Sequence, residues 1–458
     1  MTVKIRKGIA LSLALTFAAG LFAGCAGNTG NTGNTGNTGN TGNTGNTAAE
    51  PEAGEGKAAE GKVIELKMWG GVPAEAGPQA VVDAWNAEHP DIQVEYERFV
   101  NDDAGNLKLD TALATGQGAD LYVNYAPFRL QKRIDSGMAL DLSEFTDYNI
   151  DEKIGPDAAL WKVNGKYYGM PTTKSASFVW LNKDMLDAAN LPIPPLDWTW
   201  ADFREYAKKL QKDNVWGMVR HESFFMTPFN GAMATVGVTK ADGASNLDHP
   251  ILKEGFQQWY DMMFADKTTP PYGEQITSKM PVDTIFLKGE AAMLDAGGFI
   301  FRTANNLTEY PRDFKIAFAT TPRISTELKD FKYPGGVSDV IAINPKSENK
   351  EAAWEFLKWY ADGGILEMAK GGRIPASGAV NQDEAVKMLL TGVEDKYDVD
   401  SLKKVLFNDI PTYLESLPPQ IVDARKEEYE KFFLRQTDID SALANMVKKH
   451  NKFLEQNK

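Results

Sequence analysis

The sequence predicts an α/β protein whose body is divided between two lobes. Strand-like and helix-like runs alternate from Lys62 to Asn124, which is the signature of a parallel sheet with helical crossovers. About 400 residues follow the amino-terminal leader, more than one compact core usually holds. The only long apolar run lies before Cys25, so the body carries no membrane-spanning segment and is expected to be soluble.

The leader comes first in the chain. Lys4, Arg6 and Lys7 form a basic start with no acidic residue before Cys25, and an apolar run from Ile9 to Ala23 follows. That run has the length of a secretory signal and is shorter than the roughly 20 residues a spanning helix needs. It ends in Leu21-Phe22-Ala23-Gly24-Cys25, which resembles the bacterial lipobox with Phe22 where leucine is usual. The resemblance implies cleavage after residue 24, lipidation of Cys25 and a place on the outer face of the cell membrane. An ordinary cleaved signal with a cysteine nearby is the alternative. Cys25 is the only cysteine, so the body has neither a disulfide nor a thiolate metal site. Residues 25–61 run through a Gly-Asn-Thr repeat into an Ala/Glu/Gly-rich stretch. Nothing there can bury apolar surface, so a disordered tether is expected, with a reach of roughly 30 Å.

In the body, Val63 to Trp69 reads as a strand and Pro78 to His89 as a helix with Val81, Val82 and Trp85 on one face, ended by Pro90-Asp91. Ile92 to Glu97 alternates as a second strand. Leu107, Ala112 and Leu113 mark a helix stopped by Gly116, and Ala119 to Asn124 is a third strand. Open α/β sheets bind ligands beyond the carboxyl ends of their strands. That rule selects Trp69-Gly70-Gly71, the Asn101-Asp102-Asp103 turn and Asn124-Tyr125. Asn164-Gly165 reads as a hairpin turn, and Ser175 to Leu181 as a further strand. Thr199 with Asp202 gives a capping-box start to a helix. The carboxyl end is helical, with Ile439, Leu443, Met446 and Val447 at helical spacing.

Catalytic signatures are few. Gly336-Val337-Ser338-Asp339-Val340 lacks the closing glycine of a nucleophile elbow. There is no phosphate-binding loop, dinucleotide fingerprint or zinc-protease motif, and the four histidines, His89, His221, His249 and His450, lack metal-ligand spacing. No catalytic residue, metal or cofactor is therefore expected. The net charge of −14 becomes −17 without Lys4, Arg6 and Lys7, which argues against nucleic acid or anionic lipid as the main partner. A glycosidase needs only two facing carboxylates, and 63 acidic residues leave that alternative open. Glu222, between His221 and the pair Phe224 and Phe225, has surroundings that raise a carboxyl pKa. Trp198, Trp200, Tyr272, Phe299 and Phe301 sit in loops, where flat rings can pack against sugars. Trp85, Phe203, Trp354 and Trp359 sit in helical runs and read as core.

Several motifs in a fixed order together resemble the family-1 extracellular solute-binding proteins, the group that includes the maltodextrin-binding protein. They are Trp69-Gly70-Gly71, the run from Trp85 to Val94, Leu113 to Asp120, Asn164 to Pro171, Leu181 to Met185, Phe286 to Met293, and Gly335 to Asn344 followed by the helix of Ala352 to Leu357. Ala119-Asp120 stands where the family has Pro-Asp. The resemblance implies a two-lobe, type II periplasmic-binding-protein-like fold, each lobe a mixed sheet flanked by helices and joined by crossing hinge segments. Lobe I would hold residues 62–173 and 338–375, and lobe II residues 174–337 and 376–458. A carbohydrate would be captured by hinge closure and delivered, without chemistry, by a monomer to the membrane permease of an ABC importer.

Carried over residue by residue, Asn124 takes the place of an aromatic facing the sugar, and Ser175 that of a cleft glutamate. Glu222 and Phe224 match an acidic and aromatic pair, Phe299 replaces a tryptophan after Gly297-Gly298, and Arg425 falls on a late helix lining the cleft. With Gly70, Gly71 and Tyr125 these form the expected site. The changes at Asn124, Ser175 and Phe299 speak against maltodextrin itself. A peptide, polyamine or glycerol phosphate cargo is the remaining alternative, because Lys174, Arg373 and Arg425 could form a cationic cluster.

Overall fold

The computed structural model describes residues 62–457 except 117, 213, 222–224, 330, 409, 415 and 416. The signal segment 1–24, the tether 25–61 and Cys25 lie outside the described residues, as do Glu222 and Phe224.

The first elements follow the sequence pattern closely: β1 (Ile64–Gly70), α1 (Pro78–Glu88), β2 (Ile92–Arg98), α2 (Asp103–Thr115) and β3 (Leu121–Asn124). β1 pairs in parallel with β2 on one side and β3 on the other, so both helices are crossovers. α1 buries Val81, Val82 and Trp85. The Trp85 indole donates to the Ile92 carbonyl at 2.8 Å and stacks on His89 at 3.4 Å, fixing the helix against the strand it precedes. Asp102 caps α2 by accepting from the Gly105 amide at 2.8 Å, and Gly116 ends it with φ +71°. Leu109 and Leu113 point inward while Leu107 faces solvent. At the hairpin, Asn164 and Gly165 have φ of 51° and 78°, the two positive values of a type I′ turn.

The remaining strands are β4 (Met170–Asn182), β5 (Val219–Arg220), β6 (Met293–Gly297), β7 (Ile316–Thr320), β8 (Tyr333–Ile343), β9 (Ile374–Pro375) and β10 (Thr412–Tyr413). They extend the order to β2-β1-β3-β8-β4-β6-β5, with β7 and β9 also on β4 and β10 on β8. β4 serves two neighbourhoods. Its first half pairs antiparallel with β8, and its second half, from Ser177 or Phe178 on, with β6 and β7.

The packing follows that division. One core gathers Leu66, Val81, Trp85, Leu121, Ile341 and Phe356. On the other side of the crossing, alternate residues of β4 face opposite ways, as strand geometry requires. Val179 joins Trp200, Phe229, Trp259, Phe433 and Met446, whereas Phe178 and Trp180 join Phe286, Leu294, Phe318 and Tyr397. The chain passes between these cores along β4, along β8, and between Met368 and Ala385, where Ile374 joins the third core and Ala376 the first. The helix Trp200–Leu210 begins with the expected capping box of Thr199 and Asp202, and the last helix, Ile439–Gln456, buries Ile439, Leu443 and Met446. Among the described residues no helix is long and apolar enough to cross a membrane.

Several buried or half-buried carboxylates lean on cations. Asp110 accepts from Lys132 and Arg133, each at 2.8 Å, and Glu428 from Lys431 and Lys449 at 2.9 and 2.7 Å. Burial alone would raise both carboxyl pKa values, but these bonds outweigh it and hold them below the usual range. A depressed folded-state pKa contributes stability above the unfolded pKa and loses it as pH falls through the folded value. Denaturant midpoints should therefore hold steady from pH 7 to 5 and fall below about pH 4. A midpoint that rises on acidification would contradict this.

Candidate ligand-binding site

The carboxyl ends of β1 and β3 form one wall. The Gly71 amide donates to the Tyr125 hydroxyl at 2.7 Å, and the Tyr96 hydroxyl donates to the Val72 carbonyl at 2.6 Å. The pair of glycines lets the two tyrosines close in on the strand end. A Cβ on Gly70 would stand 2.6 Å from the Tyr96 hydroxyl, and one on Gly71 3.0 Å from the Tyr125 ring and 3.1 Å from Asn101 Cβ. Gly71, the Asn101 turn and Tyr125 are thus brought together, as the strand-end rule required. Burial, and then the charge of Asp339, push the Tyr125 hydroxyl pKa far up, so it stays a neutral hydrogen-bonding group.

Asp339 belongs to β8 and completes this wall. Its carboxylate accepts from Arg373 Nε at 2.8 Å. Arg373 is mostly enclosed, and the Asp339 charge raises its pKa further. Tyr96, Tyr125, Asp339 and Tyr360 also line an internal cavity of about 10 Å³, room for no more than a single water.

The second wall is built by the parallel pair β5 and β6. β5 runs into His221, whose amide donates to the Asp295 carbonyl at 3.1 Å. β6 runs into Gly297-Gly298-Phe299, and the His221 and Phe299 rings meet edge to face at 5.3 Å. Phe299 is 36% exposed. Directly beneath lies a wholly buried ion pair, Arg220 to Asp295 at 2.6 Å. The Arg220 guanidinium is held between Trp200 and Trp259, 4.8 and 4.5 Å from the ring centres. The two walls approach at their backbones: a Cβ on Gly372 would lie 2.9 Å from the Gly298 carbonyl oxygen. Gly372, with φ +85°, precedes Arg373 just as Gly298 precedes Phe299.

Other sequence candidates fall elsewhere. Asn124 is fully buried: its amide donates to the Val340 carbonyl at 3.3 Å and its oxygen accepts from Arg133 at 2.6 Å, which makes it part of the lobe's interior rather than of a ligand surface. Ser175 is exposed and lines a groove of about 560 Å³ along the crossing strands, with Lys174, Asp157, Tyr333 and Thr412. None of the wall residues Tyr125, Asp339, His221 or Phe299 lines that groove. Arg425 is 3% exposed on the helix Pro419–Phe433; after burial, its charge is the second cause that lowers the His450 pKa. The proposed cationic cluster is not assembled: Arg373 is paired with Asp339, and Lys174 stands 5.4 Å over the Phe407 ring. Of the five loop aromatics, Trp198, Trp200, Tyr272 and Phe301 are core residues at 0–3% exposure. Phe299 alone of the five reaches the surface. Among the described residues no group of three histidine, cysteine or acidic side chains could hold a metal.

A two-lobe α/β body with its polar and aromatic groups gathered at strand ends defines a solute-binding protein of the type II periplasmic-binding-protein-like class. Residues 70–362 match the bacterial extracellular solute-binding proteins, and the chain belongs to that family. It is similar to the maltotriose-binding protein of Pyrococcus abyssi, 24% identical over 320 residues, or 68% of this chain and 65% of that one. It is also similar to the arabinooligosaccharide-binding protein of Halalkalibacterium halodurans, 32% identical over 154 residues, or 32% of this chain and 33% of that one. In fold it is similar to an ABC substrate-binding protein of Listeria monocytogenes solved with cycloalternan. That likeness has a TM-score of 0.69 at 22% identity and covers 86% of this chain and 99% of the other.

Proposed function

We propose that this chain captures a sugar or oligosaccharide between the two walls by hinge closure, releases it unchanged to an ABC permease, and does no chemistry on it. The observation that carries the reading is the pairing of one exposed ring, Phe299, with a polar wall of Tyr125, Asp339 and Arg373 across the Gly298–Gly372 approach. A ring for the apolar face of a sugar and convergent polar groups for its hydroxyls are what such a pocket requires. The relatives named for maltotriose and arabino-oligosaccharide support the same class. Pairing of Arg373 with Asp339 speaks against a strongly anionic cargo. The lobes are proposed to hold residues 62–173 with 338–375 and residues 174–337 with 376–458; the separate cores support a division of this kind, with Val337, Ile374 and Ala376 packing across the proposed bounds. A monomer held by lipid on Cys25 through the tether of residues 25–61 fits the delivery role.

Phe299→Ala tests the site. Losing the ring should weaken binding by about 2 kcal/mol, roughly 30-fold, in titration calorimetry with the preferred sugar. An unchanged dissociation constant in a folded variant would remove Phe299 from the site.

A further inference from the structure

Asp339 has a backbone unlike that of any other non-glycine strand residue described. Of the six non-glycine residues with positive φ it alone lies within a strand, at +46°, a conformation that costs an L-residue of order 1 kcal/mol. The ladder between β4 and β8 breaks at this point. Pro171 pairs with Val340 and Thr173 with Ser338, with no pair between Thr172 and Asp339. The Thr172 hydroxyl instead donates to the Asp339 carbonyl at 2.7 Å. The register is the same on either side, so no residue is inserted; the left-handed backbone at Asp339 itself turns its carboxylate onto Arg373, on the wall that it shares with Tyr125.

The resulting cluster is incompletely satisfied. Arg373 uses Nε on Asp339, and its two terminal nitrogens have no hydrogen-bond partner among the described residues, although 21% of the side chain is exposed. Asp339 Oδ1 has only the Ser338 hydroxyl, at 3.4 Å. The Tyr125 hydroxyl accepts from Gly71 and has its own proton to give. Forked donors, one open carboxylate oxygen and one phenol proton stand side by side. Adjacent sugar hydroxyls, each both donor and acceptor, are complementary to that array.

We propose that the Asp339–Arg373 pair determines sugar specificity, holding two adjacent hydroxyls of one sugar unit, with Asp339 accepting from one and Arg373 donating to both. This rests on the sugar-binding reading above. It would select sugars by the orientation of neighbouring hydroxyls, a property the Phe299 ring cannot read.

The test is titration calorimetry of the full chain with maltotriose, arabinotriose, xylotriose and raffinose, beside thermal unfolding without sugar. Two variants are used, Asp339→Asn and Asp339→Gly, because both residues tolerate positive φ. Each loses the partner of Arg373 but keeps a backbone that accepts positive φ, so each should remain folded with a midpoint within about 5 °C of wild type, yet bind the preferred sugar roughly 10- to 100-fold more weakly, the effect expected for a charge-assisted bond. Wild-type binding that both variants retain overturns this proposal alone, and so does a loss of binding matched by a loss of folding in both variants. A wild type that binds none of the four sugars removes the sugar reading and this proposal with it.

Discussion

Arg220→Leu should destabilise the protein by about 3–5 kcal/mol, because it leaves the Asp295 carboxylate buried without its partner. Both side chains have no exposed surface, and the guanidinium is enclosed between the Trp200 and Trp259 rings. Burial already pushes the Asp295 carboxyl above its usual range, with Arg220 pulling it back. In the variant the carboxyl must fold protonated. A folded-state pKa raised above the unfolded value gives stability that is present at low pH and lost as pH rises. The variant should therefore lose up to about 1.4 kcal/mol per pH unit above pH ~4, until its folded pKa is passed. Replacing both Arg220 and Asp295 by leucine should recover most of the loss. Urea denaturation at pH 5 and pH 8 checks this, and a loss under 1 kcal/mol without pH dependence would contradict it.

Trp85→Ala should cost about 3–5 kcal/mol in the other core. The indole is 2% exposed, packs edge to face on Phe356 and Trp359 at 5.3 and 5.2 Å, and makes the bond to Ile92 that seats α1 on β2. His89 would lose the ring it stacks on. Because Trp85 and Arg220 belong to different cores and share no partner, their effects should add to within about 0.5 kcal/mol in the double variant. Denaturant titration of the singles and the double measures this. A strong coupling between them would contradict the separation of the cores.

These two positions also mark the limits of what the sequence discloses. Trp85 was legible because helix periodicity and the following Pro90-Asp91 place it on an inner face. The capping box at Thr199, the Asn164-Gly165 turn and the ends of β1 and β3 were legible for the same reason: each depends on residues within a few positions. Arg220 and Asp295 meet only through the pairing of β5 and β6, which leaves no local trace. Asn124 lies at a strand end, where ligands bind, yet Arg133 on the next helix reaches back and occupies its oxygen. Four of the five loop aromatics proved to be core: Trp200, Tyr272 and Phe301 begin helices that pack inward, and Trp198 turns in beside them, while Phe299 alone stays at the surface. The Trp198 indole donates to the Thr320 carbonyl at 2.7 Å, and Trp200 packs on Trp259. Asp339 offered one weak hint, since aspartate tolerates positive φ better than most residues, but nothing around it signals a broken ladder.

The most direct measurement of sugar capture is thermal unfolding of the protein against a panel of mono- and oligosaccharides, with each sugar recovered and analysed afterwards. At 100 times its dissociation constant, a bound ligand adds about 2.7 kcal/mol and should raise the midpoint by a few degrees. A shift confined to one sugar class, with the sugar recovered intact, is the expected result. A flat response across the panel would rule out sugar as the cargo, and a sugar consumed during incubation would rule out release of the sugar unchanged.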